Sequence, residues 1–99
     1  MKTANLISVD EFCVYHGIDQ TFIHALQQIG LIELTRVETS AYIYGDELPQ
    51  LEKFVRLYAE FNINVEGIET VALLLERITS LQDEIVALKN RLRLYEDIG

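Results

Sequence analysis

The chain has 99 residues and a net charge of −8, from sixteen acidic and eight basic side chains. That length holds one small domain plus an appended helix and excludes two full domains. A hydrophobic share of 49% excludes disorder over most of the chain.

The longest apolar run, Val71 to Leu75, is far too short to span a membrane. Met1 to Ile7 holds one lysine and no apolar core of secretory-signal length. Cys13 is the single cysteine, so no intramolecular disulfide can form. Together these features predict a soluble cytoplasmic protein. Residues 1–50 carry seven acids against only Lys2 and Arg36. Such a half repels phosphate and attracts basic protein surfaces.

Ser8-Val9-Asp10-Glu11 is a capping box, with Ile7 and Phe12 spaced as a hydrophobic staple. Val9, Phe12, Cys13 and His16 then share one face, and Gly17 is a natural stop, which predicts a helix over 9–16. Asp19 caps the next helix, with Ile18 and Ile23 as its staple. Phe22, Ala25, Leu26 and Ile29 form its apolar stripe, and Gly30 ends it. Two short helices joined at residues 16–19 read as a helix-turn-helix.

Leu31 to Val37 and Ala41 to Tyr44 are rich in β-branched and aromatic residues and flank the polar triplet Glu38-Thr39-Ser40. This predicts a β-hairpin, a wing. Asp46 caps a third helix with Pro49 in its first turn. Leu51, Phe54, Val55, Leu57, Tyr58 and Phe61 give that helix a wide apolar face, and Asn62 suits its C-terminus. Asn64 caps a last helix, stapled by Ile63 and Ile68. The expected core is Phe12, Ile18, Phe22, Leu26, Ile29, Leu31, Tyr42, Leu51, Phe54, Val55, Tyr58 and Ile63.

From there to Ile98 there is no proline and only Gly67. Val71, Leu74, Ile78, Leu81, Ile85, Leu88, Leu92 and Tyr95 alternate at spacings of three and four. These are the a and d positions of a coiled coil. A helix from Val65 to Ile98 would be roughly 50 Å long, and a second copy of the chain is the simplest cover for its stripe. In a parallel pair, Glu84 with Lys89 and Arg91 with Glu96 would attract. The expected architecture is mostly α with a small β-hairpin. Residues 1–63 form a winged helix-turn-helix domain and residues 64–99 a dimerising coiled-coil helix.

Nothing in the sequence carries enzyme chemistry. Cys13, His16 and His24 could in principle hold zinc, but a cysteine and a histidine on a core-facing stripe are far more often packing residues. No second cysteine, HExxH, CxxC or glycine-rich phosphate loop accompanies them. No catalytic, cofactor or metal residue is expected. The second helix, Gln20 to Ile29, is where a DNA reader would put its recognition residues, yet no Lys or Arg occurs from Thr3 to Thr35. Gln20, Gln27 and Gln28 without a positive field would read adenine weakly. Glu33, Glu38, Asp46 and Glu47 belong to or flank the hairpin, a place where a basic partner helix could dock. Tyr15, Tyr42 and Tyr44 are candidate aromatic contacts beside them.

The order helix-turn-helix, wing, third helix, long helix resembles the MerR-like superfamily. Within it the chain is similar to the chaperone-modulator (CbpM-like) family over about residues 6–93. The matching stretches are Glu11-Phe12-Cys13 with Gly17-Ile18, then Ile29-Gly30-Leu31-Ile32-Glu33 and Tyr42-Ile43-Tyr44. They continue through Val55-Arg56-Leu57, Ile63-Asn64 with Gly67-Ile68, and the leucine-rich run into Ile78 and Leu81. The chain departs from that pattern at Asn64-Val65-Glu66, where a Trp-Pro pair is common. The resemblance implies a non-enzymatic homodimer that binds the J-domain of a DnaJ-like co-chaperone and blocks its engagement of a DnaK-type chaperone. It also implies antiparallel pairing of the long helices. A MerR-like DNA-binding transcriptional regulator is the competing reading.

Overall fold

A computed structural model describes residues 5–98. The element order is β1 (Leu6–Ser8), α1 (Val9–His16), α2 (Gln20–Gln28), β2 (Leu34–Val37) and β3 (Ser40–Tyr44). A short 3-10 turn (Gly45–Glu47) leads into α3 (Leu48–Phe61) and α4 (Val65–Ile98). The fold is mostly helical with one small antiparallel sheet, as the sequence predicted. The chain divides into two compact units, residues up to Glu69 and residues from Thr70 on.

Ser8 caps α1, supplying one half of the capping box. Ser8 Oγ accepts from the Glu11 N–H at 3.3 Å, and Gly17 closes the helix in the left-handed region at φ 65°. α2 begins at the expected place, but Asp19 makes no side-chain cap bond; its backbone carbonyl instead accepts from Phe22 N–H at 3.1 Å. The end of α2 is a wrapped C-terminus. Leu31 N–H reaches back to the Leu26 carbonyl at 3.0 Å while Gly30 takes φ 84°. That pattern is a Schellman closure, and it consumes residues the sequence assigned to the wing. The first wing strand therefore starts at Leu34 rather than Leu31.

The wing turn is also tighter than expected. Val37 pairs with Ser40, so the loop is only Glu38-Thr39, with Glu38 at φ 58°. The sheet has a third strand that the sequence did not reveal. Leu6, Ile7 and Ser8 pair with Tyr44, Ile43 and Tyr42, giving the order β1-β3-β2 with β3 in the middle.

Strand alternation then sorts the hairpin. Ile43 is fully buried, with Ile7 and Leu34 beside it in register. Tyr42, expected in the core, lies on the opposite face with Tyr44, and both are half-buried. Phe12, Phe22, Leu26, Leu51, Phe54 and Val55 are buried as predicted, joined by Val9, Cys13, Ile23, Ile32, Ile43 and Ile68. Ile29 and Tyr58 are instead 37% and 41% exposed. The Tyr58 ring stacks on Phe22 at a centroid distance of 4.2 Å, capping the core from outside. Ile18, Leu31 and Ile63 are half-buried.

α3 begins without the Asp46 cap. Glu47 holds the N-cap position and makes no cap bond of its own, because its carboxylate is turned toward the wing. Asn62 ends α3 in the left-handed region at φ 57°. Asn64 caps α4 as expected, accepting from the Gly67 N–H at 2.8 Å.

This first turn of α4 is crowded. A Cβ on Gly67 would lie 2.7 Å from Ile63 Cγ2 and 3.2 Å from Asn64 Oδ1. Helix propensity alone favours Ala over Gly by about 1 kcal/mol. The contact with a β-branched side chain and with the cap itself reverses the sign. Gly67→Ala is expected to lower the melting temperature in a thermal scan, at about 4–8 °C per kcal/mol for a chain of this size.

Candidate functional site

The wing has an acidic base and an acidic tip. Both Glu47 carboxylate oxygens accept from the Glu33 backbone N–H, at 3.0 and 3.2 Å. This contact ties the start of α3 to the strand lead-in and sets Glu33, Asp46 and Glu47 in one neighbourhood. Asp46 is exposed and Glu47 half-buried. Glu38 sits at the far end of β2, roughly 16 Å away at about 3.3 Å per residue. Beside it Arg36 Nη1 donates to the Thr39 carbonyl at 3.4 Å. The four wing carboxylates therefore form two groups rather than one cluster. Tyr42 and Tyr44 share the outer sheet face, with Ser8, Thr35 and Leu6 as cross-strand neighbours.

Tyr15 stands apart from the wing, on α1. It is 84% exposed, and its neighbour Val14 is 83% exposed. The Tyr15 ring meets His16 edge-on at 5.0 Å, and His16 lies 4.3 Å from the buried Phe12 ring. Glu52 Oε2 of α3 is 4.0 Å from His16 Nε2. The sequence reading passed over Val14. Its signal was present, since Val14 falls off the Val9, Phe12, Cys13, His16 stripe and is still apolar.

α2 presents Gln20, Thr21, Gln27 and Gln28 to solvent, with His24 half-buried. Gln20 Nε2 donates to Asp10. The unit up to Glu69 has eleven acids against Lys2, Arg36, Lys53 and Arg56, a net of −7. Of those bases, Arg56 is already paired with Glu60 at 3.4 Å. Along α4, Val71 is half-buried, while Leu74, Ile78, Leu81, Ile85, Leu88, Leu92 and Tyr95 are about half or more exposed.

Among the described residues, no three His, Cys, Asp or Glu side chains converge to hold a metal ion. No described helix is long and apolar enough to cross a membrane.

The arrangement is that of a winged helix-turn-helix regulator, and comparison with known families agrees. The model of the MerR HTH regulatory-protein family matches residues 7–90, so the chain belongs to that family. Within it, the chain is 24% identical over 89 residues to chaperone modulatory proteins CbpM of several Escherichia coli strains. These include O1:K1 / APEC, O45:K1 (S88) and O139:H28 (E24377A), and the match covers 89% of this chain and 88% of each relative. No solved structure matches. The relatives are named as regulatory or modulatory proteins rather than enzymes.

Cys13 is buried, and burial raises its thiol above the ordinary value, helped by the negative charges of Asp10 and Asp19. The thiolate is the reactive form. Cys13 should therefore react with a disulfide reagent at neutral pH far more slowly in the native chain than in denaturant, as followed by absorbance.

Proposed function

We propose that the chain is a non-enzymatic chaperone modulator of the cytoplasm. It binds the J-domain of a DnaJ-like co-chaperone and keeps that J-domain from a DnaK-type chaperone. The observation that carries this reading is the charge of the helix-turn-helix. Its second helix offers glutamines and no cation, on a unit of net charge −7. Specific DNA modules spend several Lys and Arg on phosphates before any base is read. J-domains present a basic helix, and an acidic surface can occupy such a helix and exclude its usual partner by overlap. The names of the CbpM relatives point the same way.

The test is calorimetric titration with the J-domain of the DnaJ-like protein from the same genome. Binding is expected, weakening as salt rises, because exposed pairs are screened beyond a Debye length of about 8–10 Å. The family description keeps a DNA-binding regulator as the second reading. Anisotropy with the operon's own upstream DNA should show weak, sequence-independent binding at physiological salt. Tight sequence-specific binding would install the second reading instead.

The proposal includes a homodimer through Val71, Leu74, Ile78, Leu81, Ile85, Leu88, Leu92 and Tyr95. Two copies would cover seam residues that a single helix leaves in water. Ile85 lies mid-seam, so Ile85→Asp would place an unpaired carboxylate there at a cost of several kcal/mol, roughly 3–5. Sedimentation of that variant should show a monomer. A variant that sediments like the parent would move the dimer interface off the seam.

A further inference from the structure

We propose that the exposed face of α1, centred on Val14 and Tyr15, is the surface on which the basic partner helix docks. The inference rests on the reading above and names its site. Val14 and Tyr15 are the most exposed large apolar side chains among the described residues. α1 already buries Val9, Phe12 and Cys13 on its other side, so these two do nothing visible for the fold.

Tyr15 also has one neighbour on its own helix. Its ring rests against His16, which rests against buried Phe12 and faces Glu52 of α3. Tyrosines of this kind recur as energetic centres of interfaces.

The charged residues of α1 itself and of the next N-cap are all acidic. Glu11 lies one turn before Tyr15 and Asp10 one turn before Val14, so each acid shares a helix face with one apolar residue. Asp19 follows at the next N-cap. No Lys or Arg occurs from Thr3 to Thr35. An apolar centre with an anionic rim complements an amphipathic helix bearing Lys or Arg around an apolar residue. It repels nucleic acid and the anionic surface of a membrane. The wing suits this role less well, because Tyr42 and Tyr44 are half-buried.

The experiment uses the full chain and the J-domain named above. Val14→Ser with Tyr15→Ser should weaken binding by roughly tenfold or more, the scale of an interface hot spot. Glu11→Lys should weaken it at low salt, with the difference shrinking at high salt. The wing double reversal, Glu33→Lys with Glu38→Lys, should change affinity by less than about threefold, as expected for charges away from the contact. All three variants should melt within a few degrees of the parent, since substitutions at exposed positions have little effect on stability.

A parent chain that binds no J-domain removes the functional reading and this surface with it. A parent that binds while the Val14/Tyr15 double variant binds equally well removes the surface alone. The stretch 85–95 carries Lys89, Arg91 and Arg93 and no acid, so a second copy is the competing occupant. Conversion of the double variant from dimer to monomer in sedimentation would assign the face to that copy and overturn the proposal.

Discussion

The N-terminal unit turns on the burial of Ile43 in the middle strand. β3 is paired on both edges, to the start of the chain through β1 and to the wing through β2. With Ile43 fully buried, the pleat leaves no choice for its neighbours, and a slip of one residue would invert every side chain on the strand. Ile7 and Leu34 join the inner side, and Tyr42 and Tyr44 are sent to the outer one. Because Ser8 is both the last residue of β1 and the cap of α1, the same pairing sets where α1 begins. The exposed face of α1 is therefore positioned by the sheet, although no residue of that face belongs to it.

Charge and shape divide the work on this frame. The fold needs no ion pair in its core, and no charged or polar residue is buried there among the described residues. Its carboxylates lie outside, where each contributes little to stability but together they set the sign of the field a partner meets. Glu47 and Asp10 also serve the fold, Glu47 by binding the Glu33 N–H at the base of the wing and Asp10 by accepting from Gln20 of α2. The acidic residues thus have unequal roles that composition cannot distinguish. A count of charges points to the class of partner, and only geometry separates a structural carboxylate from one free to meet it.

The helices were legible because their signals are local. Ser8 with Glu11, Gly17 and Asn64 act through bonds to residues three or four positions away, and all three do what the sequence implied. What was hidden depends on distant partners. β1 is three residues long and exists only because β3 lies beside it, so Leu6-Ile7-Ser8 reads as a helix preface. By sequence Tyr42 looks like core, because an aromatic strand residue usually packs, whereas the inward position belongs to Ile43. The spacing makes Ile23 a staple residue, and in the fold it is fully buried. At the site, the exposure of Tyr15 follows from its helix phase, while the separation of Glu38 from Glu33 required the register of the wing.

Membership of the MerR HTH regulatory-protein family and an anionic helix-turn-helix are compatible once scaffold and surface are considered apart. The buried residues, Phe12, Phe22, Leu26, Leu51 and Phe54 among them, preserve the packing of two short helices, a wing and a third helix. Nothing in that packing demands a positive exterior. Exposed positions on α1 and α2 can change sign with little effect on stability, since their side chains touch water rather than core. Asp10, Glu11 and Asp19 give the exposed side of these helices a negative sign, which repels phosphate. A fold does not fix a function, and under the proposed reading the exposed side chains of α1 and α2, rather than the core, would set the partner.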